Sequence, residues 1–514
     1  MPNVNITKVY LLDVPLESDY KNTLYFANAS AQQTYFQSKI ISSFSYTDFS
    51  YQRKDQIIRV PAHYDSIYNC NYVMYQNSAY NNKWFYAFVT DLEYINDGRT
   101  DLHIETDVMQ TWMFDYTVKS SFVEREHVSN DTVGLHTVPE NVELGEYISN
   151  GFVRDNELND FVYLIQVTEY VNGDKPLATN FGGVYAPGGA YVCDSPAQVV
   201  NIIQALDGAG KGDAVTNVYI VPSKVVNNTS GALQYSGQNA PVTYDVTINK
   251  QTTLNGYSPR NNKLLTYPYN YLLLDNNNGT SNILQYENFS TSNCVFEVAG
   301  VPTVGGSIKC VPKDYKGEVR FQQEGIMAGK FPTCGWVNDM YTNWLTQNAV
   351  NIGLGIATSG LEIIGGVGMM ATGGGAIAGA GAVANGSLGI ANTIGQVYQH
   401  SLIPNSARGN INGGDINTCY NMNKFYFIFM SIKSEYAQII DKYFDMFGYK
   451  VNMVKVPNKA HRSRYWYTKT INVNINGDVP QNDMQKIKNC YDNGITFWRN
   501  ASDIENYADA NPIV

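Results

Sequence analysis

Charge is what this sequence has least of. Only 16% of its residues are Asp, Glu, Lys or Arg, and their balance leaves a formal net charge of −11. A protein that grips nucleic acid normally carries a basic surface, so the sign argues against a clamp on DNA or RNA. A conduit that lets DNA slide past without sticking fits an acidic balance, as does ordinary solubility. Cysteine is scarce as well. There are seven, an odd number, with no Cys-x-x-Cys pair. Neither a disulfide framework nor a metal knuckle is expected, and buried free thiols are. Cys334 and Cys419 are the one pair whose bridging is imaginable, because they flank an unusual segment described below. The opening Met1–Lys8 has no basic stretch followed by an apolar run. The expectation is a chain without a signal peptide, made in a cytoplasm.

Motifs that carry chemistry are missing too. The six histidines (His63, His103, His127, His136, His400 and His461) form no His-Glu-x-x-His or other close metal spacing. His127 and His136 read as polar loop groups. Gly208–Gly212 has the look of a phosphate loop, but Lys211 is followed by Gly and no Gly stands five before Gly210, so it reads as a turn. Asp275–Gly279 resembles part of a calcium loop whose closing Glu is missing. There is no Gly-x-Ser-x-Gly elbow. Asp97 and Asp101 read as solvated turn residues rather than an acid–base pair. No catalytic, metal-binding or cofactor-binding residue is expected.

Aromatic residues, by contrast, make up 13%, with 39 tyrosines. Such a profile suits β-rich proteins that assemble through Tyr-, Asn- and Thr-bearing surfaces. Residues 1–128 read as strands such as Lys8–Leu12, Thr23–Phe26 and Trp84–Val89. Ser30–Gln33 reads as a capping box opening a helix through Lys39, Asn96-Asp97-Gly98 as a hairpin turn, and Asp107 as a helix cap. Residues 129–330 read as a β-rich insertion with long loops. Residues 421–514 repeat the opening plan: strand Phe425–Phe429, a helix from Ser434 stopped by Gly448, aromatic strand Tyr465–Tyr467, a turn at Asn476-Gly477, and a helix opened by Pro480. Two similar modules bracketing an insertion would suit a ring with twice as many modules as subunits.

Between them, within residues 331–420, lies the segment from Ala349 to Val397. It holds fourteen of the chain's 43 glycines and nine alanines, no Phe, Tyr or Trp, and one charged side chain, Glu362. Its larger apolar residues include Ile352, Leu354, Ile356, Leu361, Ile363, Ile364, Val367, Met369, Met370, Ile377, Val383, Leu388 and Ile390. Ile363–Ala384 as a helix would span roughly 33 Å, enough for a bilayer core. Eight of those positions are Gly, however. Each costs about 0.8–1 kcal/mol against Ala in a water-exposed helix. The balance favours a segment pliable in water that enters lipid in another state. A flexible linker and a buried Gly/Ala hairpin are the other readings. Linkers are usually polar, which this segment is not.

Three blocks carry a family likeness. One is Asp13–Leu16 with Asn22–Phe26. The second runs Ile104–Asp107, Gln110–Asp115 and Phe122–His127. The third is Tyr443–Tyr449 with Gly494–Trp498. Together they resemble the tail knob (distal tail tube) proteins of small short-tailed phages of Gram-positive bacteria. The resemblance implies an α+β, mainly β fold in which two similar tail-tube-like modules, 1–128 and 421–514, build a ring. It further implies a structural, non-enzymatic subunit of the virion tail tip, a homo-hexamer that contacts other phage tail proteins and passes genomic DNA without specific binding. The matching segment, about Leu345 to Gln399, would plug the tube and then enter the lipids of the host cytoplasmic membrane. A receptor-binding or cell-wall-degrading tail component is the alternative, with a sugar site among the aromatics.

Overall fold

Alternation of apolar and polar residues decides most of the architecture. Along Asn293–Gly300, buried Cys294, Phe296, Val298 and Gly300 alternate with half-buried Asn293, Val295, Glu297 and Ala299. A period of two puts one set on each face of a strand. The computed structural model describes residues 6–328 and 424–514, apart from stretches at 46–48, 53–55, 79–80, 156–160, 175–178, 182–183, 187–188, 195, 226–232, 236–241, 278, 301–306 and 317–324. The protein is mainly β, with several sheets and a few helices. It divides into two compact units.

The first unit is Met1–Glu143, Pro259–Lys263 and Glu435–Val514. Its seven-stranded antiparallel sheet runs in spatial order Ile40–Ser45, Ile6–Leu12, Tyr72–Asn77, Lys83–Asn96, Arg99–Thr106, Ile57–Val60, Ser50–Gln52. Asn96 and Arg99 close the hairpin expected at Asn96-Asp97-Gly98. A five-stranded sheet draws on both ends of the chain, in the order Asn22–Leu24, Ile495–Trp498, Tyr465–Ile471, Ser121–Glu126, Tyr449–Lys455. The first of these pairings, Thr23 with Phe497, is parallel. Trp466, Phe497 and Tyr491 join Val73, Leu102 and Trp112 in one core cluster. The Asp107 cap is as expected: its carboxylate accepts from Gln110 N at 3.0 Å at the head of the short helix Val108–Thr111. Two local expectations change. The first helix is Ala29–Gln37 and its cap is Asn28, whose side chain accepts from Ala31 N at 2.9 Å, rather than Ser30. Asn476-Gly477 lies in a short strand, Ile475–Gly477, paired with Tyr116–Val118, because Val118 and Ile475 bury their side chains together in the core.

Helix Ser434–Phe447 is held to the rest of this unit by carboxylates. Asp441 and Asp445, one turn apart, accept from the short segment Pro259–Lys263: Arg260 N to Asp441 at 2.7 Å, Asn261 N to Asp441 at 3.1 Å, and Asn261 Nδ2 to Asp445 at 2.8 Å. Beside them Glu140, its side chain fully buried, pairs with both Arg125 and Lys263 and accepts from Lys450 N at 2.9 Å.

The second unit is Leu144–Ser258 and Leu264–Ser434. One four-stranded sheet has the order Tyr147–Arg154, Tyr426–Ile432, Asn270–Asp275, Ser281–Leu284; another has Val242–Asn249, Asn293–Gly300, Ile308–Pro312, Ile326–Met327. Leu272, Leu274 and Phe427 of the first share a core with Phe296, Val298 and Cys310 of the second. A third sheet, Val215–Pro222, Phe161–Val167, Gly189–Cys193, Leu233–Tyr235, accompanies the helix Pro196–Gly208, which sequence reasoning missed. Cys70, Cys193, Cys294, Cys310 and Cys490 are buried free thiols; Cys334 and Cys419 lie outside the described residues.

Candidate functional site

The apolar positions expected to act on membranes, from Ile352 to Ile390, lie outside the described residues. What the structure describes are the points where the chain leaves and returns. On the departing side, Ala328 N donates to Ile308 O at 2.9 Å and Ala328 O accepts from Ser307 Oγ at 2.8 Å. On the returning side, Phe425 N donates to Asp155 Oδ1 at 2.8 Å, and Asp155 N donates back to Phe425 O at 3.2 Å. Burial pushes the Asp155 carboxyl up to about 6, offset in part by the bond from Phe425 N and by Tyr244 Oη, which donates to it at 2.8 Å. Both anchors lie in the second unit, on main chain locked into sheets.

Groups that might have done chemistry are committed to structure. His127 is buried in the first unit; its Nδ1 accepts from Tyr467 N at 2.8 Å and its Nε2 faces Asp445 O at 3.0 Å, so Nε2 carries the proton. Burial, reinforced by the nearby Arg462 charge, holds its pKa down to about 3. The unfolded imidazole protonates near 6.5. The unfolded state therefore binds more protons between those values, and this residue's contribution to stability is full above 6.5 and is lost as pH falls toward 3. Imidazole NMR should show the His127 ring neutral at pH 5 in the folded protein; a folded-state midpoint above 5.5 would refute the assignment. Asp101 is not the solvated turn residue expected: it is buried in strand Arg99–Thr106 and paired with Arg59 at 2.6 Å, while Asp97 accepts from Tyr94 Oη at 2.5 Å. Gly208 ends the helix Pro196–Gly208 and the chain turns at Ala209 and Gly210, with Lys211 Nζ donating to Tyr170 O at 3.2 Å. Asn276 closes its own loop by accepting from Thr280 N at 3.1 Å.

Among the described residues no group of three His, Cys, Asp or Glu is placed to hold a metal, and no helix is long and apolar enough to cross a membrane. A cavity of about 60 Å³ opens among Tyr25, Met113, Tyr116, Trp466, Tyr491 and Phe497 in the first unit. Its lining carries no carboxylate.

With the folds of both units in view, comparison with known proteins decides the family. Residues 232–512 match the model described as Bacillus phage phi29, tail knob protein gp9, C-terminal domain. The chain belongs to the phi29 gp9 tail knob family. Residues 5–117 match a second model, the caudoviral major tail protein N-terminus. Tail knob protein gp9 of Bacillus phage PZA is 27% identical over 590 aligned residues, covering 98% of each chain. Its counterpart in Bacillus phage phi29 is 26% identical over 589, again covering 98% of each. The solved tail knob protein gp12 of bacteriophage C1 shares the fold, with a TM-score of 0.65 at 15% identity, covering 99% of this chain and 100% of that one. As a member of the tail knob family, the chain is a structural protein of a phage tail.

Proposed function

We propose that six copies of this chain form a ring at the tail tip, through whose lumen the genome leaves the particle. In this reading residues 1–128 and 421–514 build the tube wall, 129–330 the knob, and 331–420 carry the membrane-active segment. The observation that carries it is the composition of Ala349–Val397: apolar, rich in Gly and Ala, with Glu362 as its one charge. Stowed in the tube, such segments bury apolar surface at roughly 25 cal/mol per Å². Moving DNA displaces them, and the nearest apolar phase is then the host cytoplasmic membrane. Ile352, Leu354, Ile356, Leu361, Ile363, Ile364, Val367, Met369, Met370, Ile377, Val383, Leu388 and Ile390 form the inserting surface. At −11 per copy a ring of six carries a formal charge of about −66, which keeps DNA from adhering to the lumen. The tail knob relatives support a place in the virion tail. Assembly takes place in the host cytoplasm, with other tail proteins as partners.

Negative-stain microscopy of the purified protein should show six-fold rings. Deleting 349–397 should leave the rings and reduce dye release from liposomes to background. Undiminished release would remove the membrane role, and monomers alone at high concentration would remove self-assembly. Clearing of cell wall in a zymogram would instead favour a wall-degrading component.

A further inference from the structure

The small cavity of the first unit is built by period-two alternation. Trp466 and Thr468, two apart in strand Tyr465–Ile471, share a face. Phe497 stands opposite Trp466 in register, and the two rings stack at 5.4 Å. Helix Gln481–Asn493 lays Tyr491 against Phe497, and Tyr25 meets Trp466 edge-on at 4.9 Å. Met113 and Tyr116 join them from the other end of the chain. This wall is apolar in bulk, yet it holds donors that no neighbour uses. Trp466 is 2% exposed, and its indole N–H has no partner among the described residues. The hydroxyl of Thr468, 1% exposed, has none either. Neither polar atom is sealed from solvent, and both residues line the cavity. The Tyr116 and Tyr491 hydroxyls share one hydrogen bond at 3.3 Å, so of their two O–H protons one is left over. Buried groups of these kinds normally find a partner, and three around one cavity are the polar complement of a ligand.

We propose that this cavity binds the acetamido group of an N-acetylated amino sugar. The proposal goes beyond the ring and membrane reading and does not rest on it. Size decides first. One water needs roughly 10–15 Å³ of such space, so about 60 Å³ takes a group of about five heavy atoms and not a whole sugar ring. An acetamido group, with its methyl, carbonyl and N–H, is of that size. Its methyl suits the apolar wall of Met113 and Phe497. Its carbonyl oxygen accepts from the Trp466 N–H and the spare tyrosine O–H, and its N–H donates to the Thr468 hydroxyl. With no carboxylate in the lining and Lys459 at the rim, a neutral group fits better than an ammonium or a carboxylate. The acetylated sugar is thus selected over the free amine. The sugar ring lies at the mouth, where half-buried Tyr25 and Tyr116 offer their rings. That mouth is fixed in advance. Asn458 donates to Glu126 from its main-chain N at 2.8 Å and from Nδ2 at 3.0 Å, and Arg499 donates to Ala460 O at 2.6 Å and Arg462 O at 2.9 Å. Lys459, between these anchors, is exposed and has no partner among the described residues, which adds a preference for an amino sugar that also carries a carboxylate.

The test is saturation-transfer NMR on the full-length chain, which reads the ligand protons that touch protein. N-acetylglucosamine should show its acetyl methyl as the most strongly saturated signal, while glucosamine and glucose at the same concentration show none. Trp466→Phe keeps a ring and removes the donor, and it should weaken binding about five- to tenfold. Tyr116→Phe combined with Tyr491→Phe should do the same. That double variant keeps both rings, so weaker binding with an unchanged circular dichroism spectrum is the loss of a hydroxyl and not of the fold. Lys459→Gln should leave N-acetylglucosamine unaffected and weaken N-acetylmuramic acid several-fold. Saturation of none of the N-acetylated sugars overturns the proposal. So does equal saturation of glucosamine, or binding that both donor variants retain in full. Co-sedimentation with purified cell wall, competed by free N-acetylglucosamine, assigns the sugar to the wall polymer. Monosaccharide binding without co-sedimentation assigns it to free amino sugars, and either result upholds the site.

Discussion

Replacing Glu140 by Gln should lower the unfolding free energy of the first unit by about 3–5 kcal/mol. The Glu140 side chain has no solvent exposure, and it faces two cations, Arg125 and Lys263, whose side chains are 8% and 2% exposed. Glutamine keeps the shape and part of the hydrogen bonding but removes the charge. Two buried cations would then face each other without a counterion, and that loss dominates. Burial already lowers the Lys263 pKa, with Glu140 opposing the shift, so part of the penalty is relieved when the lysine gives up its proton. Lys263 also lies over the Tyr449 ring at 5.3 Å, and Arg125 over that of Tyr443 at 4.8 Å, but neither contact replaces a full charge. The double variant Glu140→Gln, Lys263→Met should therefore recover much of the loss. Urea unfolding followed by tryptophan fluorescence measures all three proteins. A single-variant loss under about 1 kcal/mol would mean that the cluster is solvated and contributes little.

Gly448→Ala should be about as damaging, for a reason of space rather than charge. Gly448 follows the helix Ser434–Phe447 with φ +64°, and its N–H donates to Phe444 O at 2.8 Å. The left-handed conformation alone costs a non-glycine residue roughly 1–2 kcal/mol. A Cβ here would also collide with the main chain of Glu126 and His127. Those atoms belong to the five-stranded sheet and its exit, where Glu126 pairs with Tyr449, so they cannot rotate away as a side chain would. The combined loss is on the order of 3–5 kcal/mol. Gly256 supplies the control. It has φ +81° but nothing within 4 Å of its notional Cβ. Gly256→Ala should cost only the conformational part, about 1 kcal/mol. Equal melting temperatures for the two variants would show that the close approach at Gly448 relaxes freely.

How far the sequence could be read depended on the range of the interaction. The Asp107 cap, the Asn96–Gly98 hairpin and the Gly448 helix stop are decided within a few residues, and each is visible in the letters. The first helix is capped by Asn28 rather than Ser30 because both are good caps, and the choice between them is made by packing, with Gln32 and Phe36 buried. Asn476-Gly477 has turn chemistry, yet pairing with Tyr116–Val118 overrides it. The Arg125–Glu140–Lys263 cluster had no local signal at all, since Glu140 and Lys263 meet only through the tertiary fold. The aromatic cavity was hidden differently. Alternation shows that Trp466 and Thr468 share a face, but only the register with Phe497 and the packing of distant Tyr25 and Tyr116 close a cavity over it. The family likeness rested on blocks in the first unit, while the position of Ala349–Val397 followed from composition.

The five-stranded sheet also sets an order of events during synthesis. Strand Asn22–Leu24 is made long before its neighbour Ile495–Trp498. Until then the early strand has no partner on that side, and pairings of such long sequence separation form slowly. The apolar segment at 349–397 thus emerges while this sheet is still open. A ribosome that stalls within or just after it leaves a nascent chain without three of the sheet's five strands, so translation that runs through is itself the checkpoint for a foldable subunit.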